Sequence, residues 1–448
     1  MAQRVVIAGG GWGGIKAALE LRARLDPGHE VVLVDPNPTF RLGFRKTWLL
    51  VGKTRPGEAT RSKHALAARG IRYLQAHVTA IDPEGRWVEV EPAGGAAGGA
   101  AASPAAAGDR RRLEWDYLIV ALGAQPRPDR VPGFLEAPNA FNLYDPDGAL
   151  AAGRRLAALT GGRIVVAILG LPYKCPPAPY EAALLVDDYL RQGWRRPPGP
   201  GQDGATAADA AGQELQDGRP AAAGTGIPAR QAGDRAAFEI AVFTPQPSSL
   251  PVAGPAGCQA IESSLALRQI AFHPNRRFVR VEPGALVDAE GNREPYDLLL
   301  GVPPHRVPQV AVDAGLAPAD GWIAVDPATL RTRHPRVYAI GDCTQIAMAN
   351  GQPLPKAGIF AEGEAAVAAA AIAAEITGGP PPERYRGEGY CFLELGGGLA
   401  TVVRGEFLAE PAPRVEVASP SREFLARKLA FERERLEGWF GADAGGGR

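Results

Sequence analysis

The sequence predicts an α/β protein with two Rossmann-like, doubly wound, three-layer domains, the first of them discontinuous, and an α/β extension at the C-terminal end. Three observations carry this expectation. Short β-rich apolar runs alternate with helical patterns along most of the 448 residues. A strand ending in glycine or aspartate recurs near residues 9, 170 and 341. No short solenoid period is present. Apolar runs separated by helix-length segments suit parallel sheets covered on both faces.

Composition narrows the class. A 46% hydrophobic content supports a sizeable core, and 49 basic side chains balance 49 acidic ones, so no overall field argues for nucleic acid or an anionic membrane surface. The four cysteines, at 175, 258, 343 and 391, are too scattered for a disulfide scaffold and fit a reducing compartment. Met1 runs almost directly into the first strand, so no export signal is expected, and a cytoplasmic location follows. The scattered histidines, among them His64, His77, His273, His305 and His334, lack metal-ligand spacing, and no metal site is expected. His305 is a candidate acid or base, against a plain surface or core histidine.

The predicted strands lie at 31–35, 117–121, 164–169, 239–244, 297–301 and 337–340. They place a nucleotide-binding domain in two segments, 1–155 and 297–383, around a second Rossmann-like domain, 156–296, with a C-terminal interface region at 384–448. Segments 92–109 and 197–234, rich in Ala, Gly, Pro and Gln, cannot bury enough apolar area to offset chain ordering and are expected to be mobile surface insertions.

The first loop carries Gly9, Gly11 and Gly14 in G-x-G-x-x-G spacing between a strand and a helix, with Trp12 inside it. Gly9 permits the tight turn, Gly11 lets a pyrophosphate approach the backbone, and Gly14 lets helix and strand pack closely. Asp35 ends the next strand, where a carboxylate binds ribose hydroxyls. The corresponding loop of the second domain, Gly170-Leu-Pro-Tyr-Lys-Cys, lacks the two later glycines, and its next strand ends in Thr244-Pro245 without an acid. A nicotinamide dinucleotide is therefore not expected there. Cys175 stands in its place, expected to open a helix beside Lys174, with Pro176 and Pro177 in the first turn, an environment that favours thiolate. The bland alternative is a small buried hydrophobe.

Further segments resemble the pyridine nucleotide-disulfide oxidoreductase superfamily, and within it the sulfide:quinone oxidoreductases and the flavoprotein subunit of flavocytochrome c sulfide dehydrogenase. The segment Tyr117-Leu-Ile-Val-Ala-Leu-Gly-Ala is similar to the superfamily's return to the flavin domain. Tyr296-Asp-Leu-Leu-Leu-Gly-Val-Pro-Pro-His is similar to a double-proline segment of the sulfide-oxidising branch. Val337-Tyr-Ala-Ile-Gly-Asp342 resembles the second flavin motif, and Pro355-Lys-Ala-Gly and Lys174-Cys-Pro-Pro-Ala-Pro-Tyr-Glu resemble the sulfide-oxidising branch.

The resemblance implies FAD as cofactor, bound through Gly9, Gly11, Trp12, Gly14, Asp35, Val78, Ala121, Gly123, Gly341, Asp342 and Lys356. It implies a catalytic role for Cys175 in persulfide formation and in a flavin adduct or charge-transfer complex. Lys356 precedes an alanine-rich helix whose positive end would face a reduced flavin; the alternative is a structural helix with a solvated lysine. The branch has a second redox cysteine between the Gly-Asp motif and the Pro-Lys segment, and this chain has none there. Cys343, directly after Asp342, is the first candidate partner, Cys391 the second and Cys258 the third.

The expected activity is transfer of two electrons from sulfide or a small sulfur compound, through Cys175 and FAD, to a quinone. The alternatives are an NAD(P)H-oxidising flavoprotein like type II NADH dehydrogenase, and a flavin-binding interaction protein with negligible turnover. The C-terminal segment 421–440 reads as a helix with Leu425, Leu429, Leu436, Trp439 and Phe440 on one side, for peripheral membrane contact or for packing on its own domain.

Overall fold

The computed structural model describes residues 1–93, 110–192 and 234–441. Apart from their outermost residues, the insertions predicted at 92–109 and 197–234 lie outside the described residues.

All six predicted strands are present, sorted into two five-stranded parallel sheets. The first runs in the order Val337–Ala339, Tyr117–Val120, Arg4–Ala8, Glu30–Val34, Arg72–Leu74. Alternate residues of Arg4–Ala8 serve opposite faces. Val5 and Ile7 join the core beneath the helices Trp12–Arg24 and Gly358–Thr377, whereas Val6 and Ala8 meet Ile81, Val88 and Val90 of a three-stranded antiparallel sheet. The third layer is thus antiparallel sheet rather than helix. The two helices approach closely because their facing residues are small: a Cβ on Gly13 would lie 3.1 Å from Ile340 Cδ1 and 3.3 Å from Ala361 O.

The second sheet repeats this plan, in the order Ala140–Asn142, Leu298–Val302, Gly162–Ile168, Phe238–Phe243, Ala271–His273. Ile164, Val166 and Ile168 face the helical side, and Val165 and Ala167 face a second antiparallel sheet that begins at Phe278. The strands Ala140–Asn142 and Leu298–Val302 fall inside the ranges that the sequence gives to the nucleotide-binding domain, yet both pair with the second sheet. The fully apolar strand Leu298–Val302 fits either sheet and the three-residue Ala140–Asn142 is too short to specify one, so only long-range pairing decides.

The C-terminal region forms a three-stranded antiparallel sheet, Glu388–Gly396, Leu399–Glu406 and Arg414–Val417, and the helix Arg422–Phe440. Ser421 caps that helix, its side chain accepting from Phe424 N at 3.3 Å. The inner face is not the predicted apolar stripe. Lys428, Glu432, Leu436 and Trp439 are buried, while Leu429 is 48% exposed. The face packs on the body of the protein, and two of its buried positions are charged.

Candidate active site

The first glycine loop is built as its spacing requires. Gly9 has φ +109°, and a Cβ there would lie 2.2 Å from Ala121 O; a Cβ on Gly14 would lie 1.8 Å from Gly9 O. Neither position tolerates a side chain. Gly11 differs: a Cβ there would meet nothing within 4 Å, because this residue opens onto a cavity of about 540 Å³. Open space beside bare backbone at a helix start is what a dinucleotide diphosphate needs, so the residues present fit the family's cofactor. Asp35 accepts from Gly10 N at 2.7 Å and from Lys63 Nζ at 2.6 Å, and both Asp35 and Lys63 line the cavity. Trp12 lines it too, although its ring stacks on Phe431 with centroids 5.7 Å apart and ties the loop to the C-terminal helix. Val78, Ala121 and Gly123 do not line the cavity. Ala121 and Gly123 shape the strand end behind Gly9, and Val78 sits half-buried in the antiparallel sheet.

The Gly341–Asp342 motif and Lys356 bound the far side. Lys356 Nζ donates to the carbonyls of Asp342 and Thr344, each at 2.8 Å, and lies 3.5 Å from the centre of the Trp322 ring. Burial lowers its pKa to about 8. Behind it, Gly341 N donates to Glu364, a carboxyl that burial pushes up to about 8. The predicted alanine-rich helix is present as Gly358–Thr377, and Gly358 and Ile359 line the cavity.

Cys175 reaches the same cavity from the second domain. The helix expected to open at this residue begins three residues later, at Ala178, because Pro176 and Pro177 form a turn closed by Ala178 N on Cys175 O at 3.0 Å. Cys175 itself has φ +50°. Its conformation is held on both sides, by Cys175 N donating to Lys356 O at 2.7 Å and by Tyr144 Oη donating to Cys175 O at 2.9 Å.

The partner thiol is where the sequence reading needs correction. Cys343 is fully buried beneath the first sheet, its Sγ directed at Ile340 O and Val120 O at 3.2 and 3.5 Å, and burial pushes its pKa up to about 12. It does not line the cavity. Cys391 does, and it also shares with Cys175 a second, smaller chamber whose walls include Leu250, Ile359, Phe360 and Val403. Burial raises the Cys391 pKa, with the electrostatic influence of Cys175 the next-largest cause. Cys258 lies elsewhere, its Sγ 3.4 Å from Ser248 Oγ. The early position of Cys343, directly after Asp342, makes it part of the core, whereas the strand Glu388–Gly396 carries Cys391 back to the centre.

Beside the Cys175 loop, buried Tyr144, Tyr173 and His305 pack together, with Tyr144 edge-on to both other rings. A Cβ on Gly170 would lie 2.7 Å from Pro304. His305 is fully buried; desolvation, with Lys174 next, lowers its pKa to about 3, so it is a neutral core residue rather than a proton donor.

Several site residues had no readable signal. Lys428 donates to Glu181 Oε1 at 2.9 Å and Glu394 Oε1 at 3.0 Å, and all three are buried. Burial would lower the Lys428 pKa, but the two carboxylates hold it well above its ordinary value. Arg45 Nε pairs with buried Glu432 at 2.6 Å. These contacts join the C-terminal helix to the short helix Arg45–Leu50 and to Ala178–Gln192. Phe40, Phe44, Phe392 and Phe431 line the cavity on the same side. A charged, surface-type helix pattern hides Lys428; only the aromatic neighbours Tyr390 and Phe392 could have drawn attention to Cys391. Among the described residues no cluster of metal-ligating side chains occurs and no helix is long and apolar enough to cross a membrane.

Comparisons with known proteins agree with this architecture. The chain is 21% identical over 421 residues to the mitochondrial sulfide:quinone oxidoreductase of Mus musculus, covering 91% of this chain and 79% of that protein. It is 30% identical over 202 residues to the alternative NAD(P)H-ubiquinone oxidoreductase C1 of Arabidopsis thaliana, covering 42% of this chain and 36% of that protein. The X-ray structure of the sulfide:quinone oxidoreductase from Aquifex aeolicus superposes with a TM-score of 0.75 at 22% identity, covering 99% of this chain and 93% of that one. The sequence profile described as pyridine nucleotide-disulphide oxidoreductase matches residues 3–166 and 222–372. With more than half its length so matched, and with the glycine loop, the Gly-Asp motif and the paired parallel sheets in place, the chain belongs to the pyridine nucleotide-disulphide oxidoreductase family.

Proposed function

We propose that the protein is an FAD-dependent oxidoreductase of the sulfide:quinone type, taking two electrons from sulfide or a small sulfur compound and passing them to a quinone. The observation that carries this reading is the meeting of Cys175 and Cys391 in the cavity that also holds Gly11, Asp35 and Asp342. FAD, when bound, supplies a two-electron carrier. The protein's part is to present two thiols, on two separate elements, to one cavity. With FAD as the two-electron oxidant the pair would close to a disulfide; hydrosulfide would then attack it, the S–S bond breaking so that one cysteine leaves as thiolate and the other carries the persulfide.

The loop after Gly162–Ile168 supports a thiol route over nicotinamide. It lacks the two later glycines of a dinucleotide loop, and a Cβ on Gly170 itself would lie 2.7 Å from Pro304. For the acceptor, Phe40, Phe44, Phe392 and Phe431 offer flat apolar walls beside the Lys428 ammonium, a surface suited to a quinone ring whose oxygen gains charge on reduction.

Anaerobic stopped-flow mixing tests the reading. Sulfide is expected to bleach the flavin within the mixing experiment and NADH is not, and decylubiquinone is expected to reoxidise it. Bleaching by NADH with no response to sulfide overturns the proposal.

A further inference from the structure

The cavity carries more positive charge than its own carboxylates and a cofactor's diphosphate account for. Six basic and three acidic side chains line it. Lys63 is paired with Asp35 and Lys428 with Glu181, and both pairs are buried or nearly so. Lys46 and Lys174 are different. Lys46 Nζ donates to Gly43 O at 3.1 Å and Lys174 Nζ to Ala124 O at 3.2 Å, and among the described residues neither ammonium forms an ion pair with a carboxylate.

These two charges line the same cavity as Cys175. Lys174 is its immediate neighbour, and Lys46 lies 4.5 Å from the centre of the Tyr144 ring whose hydroxyl holds Cys175 O. They also oppose each other: burial lowers the Lys174 pKa, Asp342 offsets this from beyond ion-pair distance, and the Lys46 charge lowers it further. The other groups facing the pair do not neutralise it. His305 is uncharged, its buried Nε2 without a hydrogen-bond partner among the described residues, and Lys356 adds a third positive charge to the cavity wall. Two like charges held at a water-poor wall without a counterion are a standing electrostatic cost, and an anion placed between them removes it.

We propose that Lys46 and Lys174 form an anion subsite beside Cys175 that receives the sulfur donor as a monoanion, hydrosulfide, rather than as the neutral acid. The identity of the anion rests on the donor reading given above; the subsite does not. The step is binding alone. The anion exchanges its water shell for two ammonium groups, its proton stays in solvent, and no bond is formed until the sulfur meets the reactive centre.

The test compares alkylation of Cys175 by iodoacetate, an anion, and by iodoacetamide, its neutral analogue, in the holoenzyme, followed by peptide mass mapping. Both reagents need the same thiolate, so their ratio isolates the local field from any change in thiol acidity. Relative to an unstructured cysteine peptide, the iodoacetate to iodoacetamide ratio is expected to rise about tenfold, as a focused positive potential requires. Thiocyanate is expected to suppress the iodoacetate reaction in the unaltered protein, a measurement that needs no variant. Lys46→Met and Lys174→Met are each expected to lower the ratio about fivefold, and Lys46→Arg to retain it. A ratio equal to the peptide's, a ratio unmoved by both Met variants, or loss of flavin from either variant overturns the proposal. Neither reagent reports sulfide oxidation. A holoenzyme inert to sulfide removes the donor reading, and the ratio still decides the subsite.

Discussion

The amide of Cys175 donates to the carbonyl of Lys356 across the two domains, N···O 2.7 Å. One hydrogen bond thus joins the loop that carries the thiol to the segment that closes the flavin motif. Because Cys175 also sits at φ +50°, its position depends on partners from both domains rather than on local preference.

The thiols should separate cleanly by variant. Cys175→Ser and Cys391→Ser are each expected to reduce the rate of flavin reduction by sulfide by at least about 10³-fold, as removal of a covalent nucleophile or its resolving partner does. Cys343→Ala is expected to change that rate less than about threefold while costing on the order of 1 kcal/mol of stability through a small core cavity. Stopped-flow absorbance and thermal unfolding measure the two effects. Equal loss of rate in all three variants would restore Cys343 to the redox centre.

Two glycines of one loop should fail in different ways. Gly11→Val introduces a side chain into open cavity space, so the protein is expected to fold but to purify without flavin absorbance. Gly14→Val would drive a side chain into Gly9 O and is expected to lower the melting temperature of the apoprotein as well. Circular dichroism melts of the flavin-free proteins distinguish them. A flavin-replete Gly11→Val protein would show that no diphosphate lies there.

Removing the charge of Lys428 takes a shared cation from two buried carboxylates, of which Glu394 keeps Lys53 Nζ at 3.4 Å. Lys428→Met is expected to destabilise the fold by about 3–5 kcal/mol, the range for breaking one side of a buried ion pair. The loss should be partly recovered in Lys428→Met combined with Glu394→Gln. Denaturant unfolding of the single and double variants checks this, and a single variant as stable as the parent contradicts the buried network.

Glu364 gives a pH dependence of definite sign. Its folded pKa, near 8, lies above the ordinary carboxylate value, so the folded state binds the extra proton between roughly pH 4.5 and 8. Its contribution is fully present below about 4.5 and is lost as pH rises through 8. Glu364→Gln is expected to remove that slope, gaining roughly 2–5 kcal/mol relative to the parent at pH 9. Melting temperatures across pH 5 to 9 test it; parallel profiles for parent and variant contradict a raised folded pKa.

What the linear sequence determined was local. The spacing of Gly9, Gly11 and Gly14, the acid at 35, the Gly341–Asp342 pair and the missing glycines after Gly170 each specify backbone chemistry over a few residues, and Gly11, Asp35 and Asp342 line one cavity. Strand alternation likewise specified two buried parallel sheets. Which sheet received Ala140–Asn142 and Leu298–Val302 was not legible, since neither a three-residue strand nor a uniformly apolar one carries a label for its partners. Cys391 could not be chosen over Cys343 for a related reason: proximity to a motif in sequence measures nothing about the direction a side chain takes, and the polypeptide returns to the centre only through the C-terminal sheet. The same holds for Lys46, Lys174 and Lys428. A lysine on a polar helix or loop is normally solvated, and Lys46 and Lys428 are buried, and Lys174 partly so, only because separately encoded elements close over them. Tertiary structure alone decides where a charge loses its water, and with it which charges serve the site.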